Sequence, residues 1–194
     1  IFDVDWGVIP NLRNTRIVIY QSLDDPNVPP DANQFAVGLL AEARERWGGY
    51  DYEYWEVDGH GHDLPPGGAD AHFAKIEDAR RVARPAQLVW QPVLAWKRQF
   101  HWLHWETPVA TAIVEAELDR EQNAVAVRVD KPAPGLAVLL DDDLLDLDRE
   151  VVARLNGEEV YRGVPERSLA VLVETGASGD PGLTFSARID LRPR

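Results

Sequence analysis

Apolar residues bunch into two runs, 15–21 and 52–57, and between them recur at three- and four-residue intervals. The first run, Ile17-Val18-Ile19-Tyr20, is continuous and rich in β-branched residues, as a buried strand of a parallel sheet should be. Phe35, Leu39, Leu40, Ala43 and Trp47 then form one stripe of a helix running from Asp31 to about Trp47. Pro29-Pro30 precede that helix, Glu42 and Arg46 are an i,i+4 ion pair on it, and Gly48-Gly49 stop it. Residues 52–57 form the second strand, and a helix between two strands is the pattern of a parallel pair. Residues 59–68 hold four glycines and two prolines and read as loop. A second helix is predicted from Ala69 to Val82, with Phe73, Ile76, Ala79 and Arg80 marking its faces, before Arg84-Pro85 ends it.

Beyond residue 85 the rhythm changes. Leu88-Val89-Trp90 and Phe100 to Trp105 are strand-like, and residues 109–118, 123–130, 135–140, 150–155 and 183–191 are short β-patterned runs. Turn signals separate them, the clearest being Asn156-Gly157 between Val151–Leu155 and Glu158–Tyr161, a two-residue hairpin signature. Ser168 is placed to cap one short helix over Leu169–Glu174. The expected architecture is therefore an α/β domain over residues 1–107, joined near Thr107-Pro108 to a small, mostly-β, sandwich-like domain over residues 108–194.

Charge and composition narrow the function classes. The formal net charge of −13 argues against nucleic acid and against an anionic membrane surface, both of which call for basic residues. No apolar run is long enough to cross a bilayer. The absence of cysteine removes disulfides and thiolate metal sites and leaves the compartment open. The chain also lacks methionine and opens on Ile1-Phe2-Asp3-Val4-Asp5-Trp6, which suggests an internal start.

Two segments carry candidate chemistry, Gln21-Ser22-Leu23-Asp24-Asp25-Pro26-Asn27-Val28-Pro29-Pro30 and Asp58-Gly59-His60-Gly61-His62-Asp63. Each follows a predicted parallel strand, and open α/β sheets place their chemistry at that end. A carboxylate there can orient an imidazole as a general base. Asp24 and Asp25 are the candidate acids, and His60 and His62 the candidate bases. The same residues have competing explanations, a turn for Asp24-Asp25-Pro26-Asn27 and solvent-exposed loop histidines for the pair. A zinc site on His60, His62 and Asp63, with Asp58 or His72, is a further alternative, although Leu64 and Pro65 break the longer metallohydrolase pattern. No internal nucleophile offers itself: Ser22 is too close to the acid, and Gly176-Ala177-Ser178-Gly179-Asp180 lacks the last glycine of a nucleophile elbow. Gln99-Phe100-His101-Trp102-Leu103-His104-Trp105 is either a platform for sugar or peptide or a strand buried on both faces. The acidic run Leu140 to Asp148 reads as a solvated turn or edge rather than a calcium loop.

Asp25-Pro26-Asn27-Val28-Pro29 resembles the acid loop of α/β-hydrolases related to dienelactone hydrolases and prolyl oligopeptidases. Gly59-His60-Gly61-His62 resembles the histidine segment of the same family. The resemblance implies that the chain is the C-terminal portion of an α/β-hydrolase parallel sheet with an appended β module. It implies a serine hydrolase of esterase or peptidase type, with Asp25 as acid, His62 as base, and Asp24 and His60 as alternates in each loop. The nucleophile and oxyanion hole are then expected upstream of residue 1, in an N-terminal part of the same protein that also completes the sheet, so the chain alone is expected to be inactive. The implied substrate is a small ester or peptide, with no cofactor and no metal. A non-enzymatic carbohydrate- or protein-binding module is the other reading, and a metallohydrolase on His60 and His62 a third.

Overall fold

A computed structural model describes residues 8–192; the Ile1–Trp6 opening lies outside them. The chain forms two compact units that divide between Arg81 and Val82.

The first unit begins with a short 3-10 turn, Ile9–Leu12, followed by strand β1 (Arg16–Ser22), helix α1 (Asp31–Trp47), strand β2 (Asp51–Val57) and helix α2 (Gly68–Ala74). β1 and β2 pair in parallel, with Arg16 opposite Asp51 and Ser22 opposite Val57. Parallel neighbours need a crossover, and α1 is that crossover. Asp31 in its first turn and Arg44 and Arg46 in its last complement the helix dipole. Leu39, Leu40 and Ala43 bury one stripe of α1 with Ile9 and Tyr50, and Ile17, Ile19 and Tyr52 pack on that cluster from the sheet. Phe35, at the N-terminal end of the predicted stripe, is instead 65% exposed. α2 stops at Ala74 rather than running to Val82, and Phe73, Ile76 and Val82 are all exposed. A helix of that length depends on burying an apolar face, and this stretch buries none.

In the second unit, β3 (Gln87–Trp90), β6 (Val114–Asp119), β7 (Ala124–Val129), β9 (Val151–Leu155) and β10 (Glu158–Gly163) form a five-stranded sheet ordered β10-β9-β7-β6-β3. β4 (Gln99–Phe100), β5 (Leu103–Trp105), β8 (Leu136–Leu140) and β11 (Ala187–Asp190) form a four-stranded sheet ordered β11-β8-β5-β4. All neighbours are antiparallel except β7 and β9. The two sheets share one core in which Trp90, Trp102, Trp105, Leu139 and Phe185 are buried. Helix α3 (Leu169–Gly176) follows β10, and Asn156-Gly157, both at positive φ, turns the β9–β10 hairpin.

This architecture corrects the expected fold class. The chain is not the C-terminal portion of an α/β-hydrolase parallel sheet; it is mixed, with three separate sheets among the described residues. About 30% is strand and 21% helix, too little helix for strands alternating with covering helices. Among the described residues the parallel sheet has two strands. The runs at 88–90 and 100–105, expected beside it, pair antiparallel with β6 and β8 in the second unit. Phe100 to Trp105 is not one strand either, because His101 takes φ 51° and folds β4 back on β5.

The acidic run 140–148 is an anchored loop. Leu144, Leu145 and Leu147 are buried, Arg84 pairs with Asp141 at 2.5 Å, and Arg167 pairs with Asp142 and Asp148 at 2.6 and 2.8 Å. Asn123 ties its far end: Nδ2 donates to Asp146 O and Glu150 O, and Oδ1 accepts from the Asp146 amide.

Candidate functional site

β1 and β2 end side by side, so both loops that follow leave from the same end of the parallel pair. The Leu23 amide donates to Val57 O at 2.8 Å and holds the two exits together. The buried Gln21 braces the first loop: its Nε2 donates to Ser22 O at 2.6 Å and Val28 O at 2.9 Å, while its Oε1 accepts from Asn33 Nδ2 at 2.7 Å.

Asp25 sits at the turn of that loop. Its Oδ1 accepts from the Asn27 and Val28 amides at 2.8 and 2.9 Å, an Asx-type turn. The same carboxylate faces His62, with Nδ1 at 3.0 Å from Oδ2 and 3.2 Å from Oδ1. Asp25 is thus both turn former and imidazole partner. Its side chain is 11% exposed and that of His62 57%. Burial pushes the Asp25 carboxyl up, but the bonds from His62, Val28 and Asn27 outweigh it and hold the pKa below the ordinary carboxylate value. With Nδ1 turned to Asp25, Nε2 carries no hydrogen bond to any described residue.

The alternates have other partners. Asp24 Oδ1 accepts from Ser22 Oγ at 2.5 Å, the Gly61 amide at 2.9 Å and the Gly59 amide at 3.1 Å. The Ser22 hydroxyl and then the Gly61 amide are the main causes that keep its carboxyl below the ordinary value. His60 reaches the cluster through its backbone, its amide donating to Ser22 Oγ at 3.2 Å, while the residue itself is exposed. Asp58 and Asp63 accept from the amides that follow them, Gly59 and Leu64. Among the described residues, no three His, Asp or Glu side chains are grouped to hold a metal ion.

Ser22 is the one serine between residues 8 and 81, and it is buried with its hydroxyl committed to Asp24. It therefore cannot also be presented to His62. Sequence reasoning missed the structural parts of Ser22, Gln21 and Asn33. The only signal for them is polar side chains at the end of an apolar strand and in the first turn of a helix.

In the second unit, the tryptophans of the aromatic segment are not a platform. Trp102 and Trp105 are fully buried, and their indoles donate to Pro85 O at 2.7 Å and Pro134 O at 3.0 Å. Among the described residues, no helix is long and apolar enough to cross a membrane.

Comparison with protein-family models, curated proteins and solved structures finds no match for this chain. The resemblance to α/β-hydrolases is therefore corrected as well. It rested on two short loops, and neither the sheet order nor any relative supports it.

Proposed function

We propose that the Asp25–His62 pair is a general acid–base dyad for hydrolysis of an ester or peptide bond. The observation that carries the proposal is the 3.0 Å contact between His62 Nδ1 and Asp25 Oδ2, with the ring otherwise open to solvent. Bonding at Nδ1 places the proton there and leaves Nε2 as the free base. Asp25 then stabilises the imidazolium that forms when Nε2 takes a proton.

In this reading a serine hydroxyl, from a segment that is not among these 194 residues, gives its proton to His62 Nε2 as its oxygen attacks the substrate carbonyl. His62 returns that proton to the leaving alcohol or amine, which departs with the electron pair of the broken bond. Water then repeats the sequence on the acyl-serine and releases the acid. The chain as it stands supplies the base and its orienting acid.

A fluorophosphonate probe tests this on the protein expressed from its gene, beside His62→Ala and Asp25→Asn. The reading expects a labelled serine that is not among these 194 residues and loss of that label in His62→Ala. Labelling of Ser22, Ser168, Ser178 or Ser186, or labelling and ester hydrolysis indifferent to both substitutions, would contradict it.

A further inference from the structure

The amides of Gly59, His60 and Gly61 all point at one small target. Those of Gly59 and Gly61 donate to Asp24 Oδ1 at 3.1 and 2.9 Å, and that of His60 to Ser22 Oγ at 3.2 Å. Ser22 Oγ in turn donates to the same Asp24 oxygen at 2.5 Å. Consecutive amides converging in this way make a cradle for an anion. Its geometry needs positive φ at Gly59, 79°, and Gly61, 53°, which glycine adopts without steric cost. Here the anion filling it is a side chain of the neighbouring loop.

The placement has a consequence for His62. The loop over residues 59–68 is rich in glycine, so its chain entropy is high, and the His62 ring is more than half exposed. Its one hydrogen-bond partner among the described residues is Asp25. Something other than the ring's own packing must fix the loop, and the cradle begins three residues before His62.

We infer that Asp24, with Ser22, is a positioning residue: its carboxylate fills the 59–61 amide cradle and so delivers His62 to Asp25. The inference rests on the dyad reading above. It divides the work of two adjacent carboxylates, Asp24 binding backbone and Asp25 binding imidazole. Charge strengthens the clamp, because hydrogen bonds to an ionised acceptor are stronger than neutral ones.

The test uses the 194-residue chain and its Asp24→Ala, Asp24→Asn, Ser22→Ala and Asp25→Asn variants, read by nuclear magnetic resonance. Two signals matter: hydrogen exchange at the amides of Gly59, His60 and Gly61, and the ring ¹⁵N shifts of His62. In Asp24→Ala, exchange at Gly61 should quicken about tenfold or more, and at Gly59 less, because Asp58 Oδ1 also accepts from the Gly59 amide at 3.0 Å. The His62 nitrogens should also move from one Nδ1–H tautomer toward the average of a free imidazole. Asp24→Asn keeps an acceptor oxygen and should fall between Asp24→Ala and the parent. Ser22→Ala should quicken exchange at His60. A merely structural role for Asp24 would change exchange and leave the tautomer alone, and that result would overturn the inference. Should Asp24→Ala not fold, unchanged His62 nitrogens in both Asp24→Asn and Ser22→Ala would overturn it equally. Asp25→Asn separates the two claims: if it leaves His62 unmoved, the dyad reading itself falls. If it moves His62 and the Asp24 and Ser22 variants do not, only the positioning inference falls.

Discussion

Leu40→Ala probes the packing that holds the two loop-bearing strands in place. Leu40 is 1% exposed in a small cluster with Ile9, Leu39, Ala43 and Tyr50, against which Ile17 and Ile19 of β1 and Tyr52 of β2 pack. The substitution removes three carbon atoms, worth about 2.4 kcal/mol at ~0.8 kcal/mol each. A cluster with so few members relaxes incompletely, and the cavity term brings the expected cost to about 3 kcal/mol. For a unit of this size that is a drop of roughly 12–24 °C in midpoint. It also raises the population of the open state about a hundredfold. The assay is thermal and denaturant unfolding followed through residue-resolved amide signals of β1 and β2. A loss below about 1 kcal/mol would show that α1 does not cover the parallel pair as described, and that the loops owe their placement to something else.

Four further outcomes follow from particular contacts. Asp24, Asp25, Glu53 and Glu56 all have carboxyl pKa values lowered by partners in the fold, so the stability they contribute is present above the unfolded carboxyl range and lost as pH falls through the folded values. An acid titration by circular dichroism should show the first unit unfolding below about pH 4, and Asp25→Asn should flatten that dependence. Desolvation by burial lowers the His104 pKa, so the second unit should lose stability as pH drops below the ordinary histidine value of about 6.5, and His104→Gln should remove the slope in urea melts at pH 5 to 8. Asn123→Ala strips three hydrogen bonds from a buried residue at φ 51° and should cost about 2–4 kcal/mol in chemical denaturation. Trp102→Phe leaves Pro85 O without its buried donor and should cost about 2–3 kcal/mol by the same measurement.

The first strand, the crossover helix and the second strand were legible because pattern and punctuation agreed. Period, Pro29-Pro30 before the helix and Gly48-Gly49 after it all mark the same boundaries. Partner choice was not legible. Leu88-Val89-Trp90 is as apolar as a parallel core strand, but pairing with Val114–Asp119 decides its sheet, and a local run carries no record of a partner some 25 residues away. The hairpin inside 99–105 was hidden because histidine, not glycine, takes the positive φ. The closeness of Asp25 and His62 could be reasoned out, since parallel strands bring their following loops to one end. Asp24's grip on backbone amides left no comparable trace, because amides have no letter in a sequence.

The dyad is tested most directly by the ring ¹⁵N spectrum of His62 in the parent chain and in Asp25→Asn at neutral pH. The account expects neutral His62 to carry its proton on Nδ1, with a long-range coupling pattern that places Nε2 as the bare nitrogen, and expects this preference to collapse in Asp25→Asn. A proton resident on Nε2 in the parent, or a spectrum unchanged by Asp25→Asn, would contradict it.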